Sequence, residues 1–269
     1  MDVADGTEFI GVVGRTIIDD GEVKFGFGGP IMVRPFLEMT GKLGSKSDRV
    51  ATAQNSWARM LEEKGDYAEA RVSYDQALKK MIELHGTESW QAVRVRMNVG
   101  QLRFDSRDYV GAESEFQDLL TSVRKLGGDN HPQVASGLIA LAEVEMVEGH
   151  GAEAEPLLRE ALAIREKKLS PGHPAIVLAQ VRLGESLVAQ GRASEGEPIL
   201  RQALTSAVNS PFPLVRWQMG ETEEALGLCL QSLGRRPEAE QLMARAKSVL
   251  QHHPRSAFIN IYSQLSQHR

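Results

Sequence analysis

The sequence predicts an all-α chain: an α-solenoid of about five helix pairs, with a non-repeating N-terminal segment and a C-terminal capping helix. Three observations carry the prediction. A short segment returns at a fixed period, first as Gly65-Asp66-Tyr67-Ala68-Glu69-Ala70 and then as Arg107-Asp108-Tyr109-Val110-Gly111-Ala112. It recurs as Gly149-His150-Gly151-Ala152-Glu153-Ala154, Gly191-Arg192-Ala193-Ser194-Glu195-Gly196 and Gly234-Arg235-Arg236-Pro237-Glu238-Ala239, so its last small residues lie 42, 42, 42 and 43 apart. Two further series keep the same phase: Ala58, Gly100, Ala142, Gly184, Gly227 and Ala77, Leu119, Ala161, Ala203, Ala246. Between these landmarks apolar residues fall mainly on one helical face, as in Leu138, Leu141, Val144, Met146 and then Leu157, Leu158, Leu162, Ile164, with spacings of three and four among them. That is the period of a helix, and a sequence period near forty marks stacked repeats.

In chain order, residues 1–45 do not repeat. Ile17 to Phe25 reads as a hairpin with Asp20-Gly21 at its turn. The glycines after it lack the Gly-Lys-Ser/Thr that a phosphate loop requires. Lys42-Leu43-Gly44 followed by Val50-Ala51 echoes Lys125-Leu126-Gly127 followed by Val134-Ala135. Residues 36–43 therefore read as the eroded second helix of a preceding repeat, as if the chain came from a longer array. The array proper covers 46–253, with repeats near 47–88, 89–130, 131–172, 173–214 and 215–253. Its short intra-pair turns require antiparallel helices. Asp66 and Asp108 stand where a carboxylate caps free amide groups, and Pro156 and Pro198 near the helix start. Leu119 is the one large residue in its series and predicts looser or shifted packing. The inter-repeat connections carry His131-Pro132 and His173-Pro174, each histidine isolated from other ligand types and so expected to bond backbone. His252-His253-Pro254 closes the last pair, and Phe258, Ile259, Ile261, Tyr262 and Leu265 predict a capping helix over 254–269.

Composition narrows the function. The 269 residues are 42% hydrophobic, 25% charged and 6% aromatic, which suits helices packed through small and aliphatic side chains. A net charge of -5 argues against a nucleic-acid binder. Cys229 is the single cysteine, so it forms no intrachain disulfide and reads as a small buried hydrophobe. No apolar run approaches the roughly 20 residues of a membrane span, and the acidic N-terminus is unlike a signal peptide. The expectation is a cytoplasmic protein with no membrane contact. No cofactor, metal or catalytic constellation emerges: the seven histidines are scattered.

The segment from Ala152 to Lys167, together with Gly172-His173-Pro174, resembles the tetratricopeptide family, in its kinesin-light-chain-like class of forty-two-residue repeats. The resemblance spans about residues 47–253. It implies a right-handed superhelix whose first helices line a concave groove for a peptide or protein partner. Family asparagines that clamp the bound backbone precede the turn glycine by nine and ten residues, and only Asn55 and Asn98 match. Other candidates expected to be exposed on the first helices are Arg59, Arg94, Gln101, Glu143, Arg182 and Glu185, with Arg59 and Arg94 suited to a carboxylate. The function expected is a non-catalytic interaction scaffold. The alternative is the scaffolding or sensory part of a bacterial signalling protein, such as a repeat-bearing Ser/Thr kinase, since no kinase motif appears in the chain itself.

Overall fold

The computed structural model describes residues 16–19, 22–25, 29–30, 48–210 and 216–250. The expected eroded helix, the Asp20-Gly21 turn and the capping helix lie outside the described residues. The chain divides into two compact units, Met1–Leu102 and Arg103–Arg269. The division falls inside a helix.

Unit 1 begins with strands β1 (Thr16–Asp19), β2 (Glu22–Phe25) and β3 (Gly29–Pro30), paired antiparallel in that order with Asp19 opposite Glu22. Helices α1 (Asp48–Lys64) and α2 (Tyr67–His85) follow as an antiparallel pair, then α3 (Trp90–Asp105) up to Leu102. Their apolar faces meet in a core of Ala51, Ala58, Leu61, Tyr74, Met81, Val95 and Leu102. His85 at the end of α2 reaches Asp48 at the start of α1, 2.5 Å away, which closes the pair at its open end.

Unit 2 holds the last turn of α3, then α4 (Tyr109–Gly127), α5 (Pro132–Val147), α6 (Gly151–Lys168), α7 (Pro174–Ala189), α8 (Ala193–Val208), α9 (Arg216–Ser232) and α10 (Arg236–Leu250). Helices α5 and α6, α7 and α8, and α9 and α10 pack as consecutive pairs. Among the described residues no helix is long and apolar enough to cross a membrane.

One turn design repeats within the units. At Gly65, Gly149, Gly191 and Gly234 the backbone enters the left-handed region. The next amide donates back over the helix end: Asp66 to Leu61, His150 to Glu145, Arg192 to Leu187 and Arg235 to Leu230, at 2.8–2.9 Å. This is the Schellman closure, for which glycine carries no Cβ penalty. Arg107 occupies the same position with φ 65, the single non-glycine residue at positive φ among those described.

The small-residue series sit at helix contacts. Ala58, Ala70, Ala77, Ala112, Ala142, Ala154, Ala161 and Ala203 are fully buried. A Cβ added to Gly184 would lie 2.4 Å from Leu200 Cγ, so α7 and α8 approach as closely as two backbones with one leucine between them allow. Leu119 is also fully buried. Packing there is not looser, because Gly137 faces it: a Cβ on Gly137 would meet Leu119 Cδ2 at 2.8 Å and Leu120 Cδ2 at 2.9 Å.

Two local expectations change. Asp108 Oδ1 accepts from Gly111 N at 3.0 Å, but Asp66 makes no cap bond and instead pairs with Lys64 at 3.0 Å. Pro156 and Pro198 lie inside α6 and α8, beyond the first turn. Each deprives a carbonyl four residues earlier, at Ala152 and Ser194, of its helical partner. All four residues are exposed, so water satisfies those carbonyls. An ion ladder ties successive repeats on this side: Arg192 reaches back to Glu155 and Arg235 to Glu197 at 2.6 Å, while each also holds a glutamate of its own helix start.

Candidate partner-binding face

In unit 1 the first helices α1 and α3 lie side by side, and the asparagines meet. Asn98 Nδ2 donates to Asn55 Oδ1 at 2.9 Å. The two residues occupy neighbouring, non-equivalent repeat positions, so a separation of 43 brings them level. The bond uses one donor and one acceptor. It leaves the Asn55 amide hydrogens and Asn98 Oδ1, both on half-buried residues, to offer a donor and an acceptor side by side. A peptide group presents the complementary pair.

Arg59 lies one turn beyond Asn55 on α1, and Arg94 one turn before Asn98 on α3; both are exposed. Each is therefore about 6 Å along its helix axis from the amide pair, on opposite sides of it. They do not sit together as one carboxylate fork would. Gln101, half-buried, stands one turn past Asn98.

In unit 2 the expectation of exposed side chains fails. Glu143, Arg182 and Glu185 retain 4%, 3% and 7% of their surface. They are not an open polar face but a buried ion network across α5 and α7. Arg182 Nε donates to Glu143 Oε1 at 2.6 Å and Nη1 to Glu185 Oε2 at 3.0 Å. The parallel first helices pack against each other here, so one turn of each falls between its neighbours. Burial works against the Arg182 charge, but Glu185 and Glu143 outweigh it and hold the guanidinium protonated. Two fixed carboxylates around a planar fork are its best geometric match. Arg165 is buried nearby, its pKa lowered to about 10 by desolvation, and donates to the Ala175 carbonyl at 2.6 Å.

Sequence reasoning missed Glu221. It stands on α9 near this network, and burial pushes its carboxyl up to about 7, Arg182 offsetting only part of the effect. In the phase set by Ala142, Gly184 and Gly227, Glu221 stands in a row with Ser136 and Leu178, and that row carries no pattern that marks an ionisable residue.

The isolated histidines behave as backbone partners. His131 Nδ1 accepts from Gln133 N at 3.2 Å and His173 Nδ1 from Ala175 N at 3.1 Å, each capping a helix that begins with proline. Cys229 is fully buried, its thiol raised to about 11 by burial and bonded to the Ala193 carbonyl. Glu145, Glu148 and His150 gather at the α5–α6 turn, where His150 Nδ1 lies 3.1 Å from Glu145 Oε2.

Comparison with known proteins supports the repeat reading directly. Tetratricopeptide repeat family profiles match residues 50–91 and 137–207. Kinesin-light-chain TPR-like repeats of Podosopora anserina share the fold at 20% identity and a TM-score of 0.63, over 75% of this chain and 94% of that one. BtubC from P. vanneervenii does so at 18% identity and 0.67, over 84% and 92%. A Rap protein complexed with competence and sporulation factor matches at 13% identity and 0.62, over 82% of this chain and 60% of its own. No curated protein shows a significant match.

Proposed function

Since the chain carries tetratricopeptide repeats with the fold of kinesin-light-chain repeats, we propose that it is a non-catalytic scaffold that binds a protein or peptide partner on its first-helix faces. The observation that carries this reading is the Asn55–Asn98 bond, which holds two amides so that their remaining donor and acceptor suit one peptide group. Arg59 and Arg94 flank that pair and favour a partner segment with acidic residues on either side. Glu143, Arg182 and Glu185 act differently: they fix the packing of α5 against α7 and so hold the second face in shape. The reading also supports a cytoplasmic protein, where a lone thiol such as Cys229 needs no oxidised partner, and a protein rather than nucleic-acid partner, given the net charge of -5.

The neighbour of like fold that is complexed with competence and sporulation factor supports binding as the use of such a surface. The test is comparative capture. Wild-type chain and the Asn55→Ala/Asn98→Ala variant, with matching circular dichroism, are used as baits in differentially labelled lysates. The scaffold reading expects at least one partner recovered by wild type and depleted about tenfold or more on the variant. Equal recovery of every protein on both baits would overturn it.

A further inference from the structure

The turn between α5 and α6 gathers three side chains of metal-ligand type. Glu145 stands in the last turn of α5 and Glu148 at its C-cap, three residues on and so on the same face. His150 follows the left-handed Gly149, and its amide donates to the Glu145 carbonyl at 2.8 Å. The turn closure thus ties the backbones of His150 and Glu145 together. One ligand atom from each of the three side chains lies within 4.8 Å of the others.

The spacing suits one ion. His150 Nδ1 and Glu145 Oε2 are 3.1 Å apart. Two ligand atoms about 2.0–2.2 Å from a metal, at angles of about 90–109°, are separated by about 2.8–3.6 Å. The pair already stands at that distance. Glu148 is exposed, so its carboxylate closes the remaining gap by rotation about its side-chain bonds.

Charge separates this turn from the equivalent ones. Lys64 pairs with Asp66 at 3.0 Å, Arg103 with Asp108 at 2.9 Å, Arg192 with Glu195 at 2.6 Å and Arg235 with Glu238 at 2.6 Å. Four turns therefore carry a permanent cation beside their carboxylates. At the third turn the Glu145 side chain meets only His150, and the Glu148 side chain meets no hydrogen-bond or ion-pair partner among the described residues. Both carboxylates also lie at the negative end of α5, where a cation is favoured. The place that arginine or lysine fills elsewhere holds here an imidazole, a group that is neutral over much of the physiological range and is a common metal ligand.

We propose that Glu145, Glu148 and His150 bind a divalent transition-metal ion, Zn²⁺ above all, which stands where arginine or lysine stands at the other turns. One imidazole and two carboxylates supply three ligands and leave the fourth position of a tetrahedral zinc to water. Mg²⁺ and Ca²⁺ draw on oxygen ligands and gain little from the imidazole. The site lies wholly within unit 2 and does not depend on the scaffold reading of α1 and α3.

The test is calorimetric titration of the full, chelator-treated chain with ZnCl₂ at pH 7.5, with ¹⁵N spectra recorded in parallel. Every sample carries His252→Gln and His253→Gln, since adjacent histidines are a rival zinc ligand. The site predicts one saturable equivalent, with shifts centred on the amides of Glu145 to His150. Glu145→Gln, Glu148→Gln and His150→Gln should each weaken it at least about tenfold, with unchanged circular dichroism. Glu153→Gln removes the same charge from the first turn of α6 but no ligand, and should leave affinity within about threefold at physiological salt. Excess Mg²⁺ should not displace the zinc. No saturable binding, equal losses in Glu148→Gln and Glu153→Gln, or displacement by Mg²⁺ would show an acidic surface only and overturn the proposal. The scaffold reading would stand or fall separately, on the dependence of a partner on Asn55 and Asn98.

Discussion

Replacing Arg182 by methionine isolates the energetic role of the buried network. The guanidinium keeps 4% of its side-chain surface and Glu143 6%, and the two bonds measure 2.6 and 3.0 Å. Methionine preserves most of the volume, so the change is electrical and not a cavity. It leaves Glu143 and Glu185 buried without this cation, and loss of one partner from a buried pair costs about 3–5 kcal/mol. Part of the loss is recoverable, because an unpartnered buried carboxyl takes up a proton. The penalty should therefore be smaller at pH 5 than at pH 8. Adding Glu143→Gln should restore part of the loss, since an amide needs no counter-charge. The assay is urea unfolding followed by far-ultraviolet circular dichroism, with a changed midpoint at constant slope. A loss below about 1 kcal/mol, the range of exposed ion pairs, would refute the view that these residues hold α5 to α7.

Three further outcomes follow from the fold. Folded Glu221 keeps its proton to about pH 7 and its unfolded reference loses it near 4.5. The folded chain thus binds more protons between those values, and stability falls as pH rises through that window, by roughly 3 kcal/mol in total. Glu221→Gln should be more stable than wild type at pH 8 and lose that advantage toward pH 4.5; parallel unfolding curves across pH would contradict this. Arg107→Gly should raise the thermal midpoint. It removes about 1–2 kcal/mol of left-handed strain against about 0.5–1 kcal/mol of added unfolded-state entropy, so a lower midpoint would show that the Arg107 side chain contributes more than its backbone costs. Gly137→Ala should destabilise, since overpacking costs about 1–3 kcal/mol. Combining it with Leu119→Ala should cost less than the two changes summed, and strict additivity in a double-mutant cycle would deny the contact.

The helical fold was legible because its determinants are local and periodic. Glycine at the left-handed turn position and alanine at the helix contacts are read directly from spacing. Leu119 shows where such reading stops: its series predicts loose packing, but the compensating Gly137 lies on another helix, in another series. Glu143, Arg182 and Glu185 show the same limit. On a helical wheel they look like a solvated stripe, and only the approach of parallel first helices buries them. Asn55 and Asn98 were found through a family position, while their mutual bond depends on how α1 and α3 stand in register. Glu221 went unnoticed because a glutamate announces nothing until its surroundings are known.

The central claim is that the first-helix face of α1 and α3 binds a partner through the paired amides. The most direct measurement is the equilibrium dissociation constant of a captured partner for wild type and for Asn55→Ala/Asn98→Ala, with thermal unfolding recorded on the same samples. The account predicts binding weakened about tenfold or more with the α1–α2 pair still folded. An unchanged dissociation constant, or weakening that appears only together with unfolding, would contradict it.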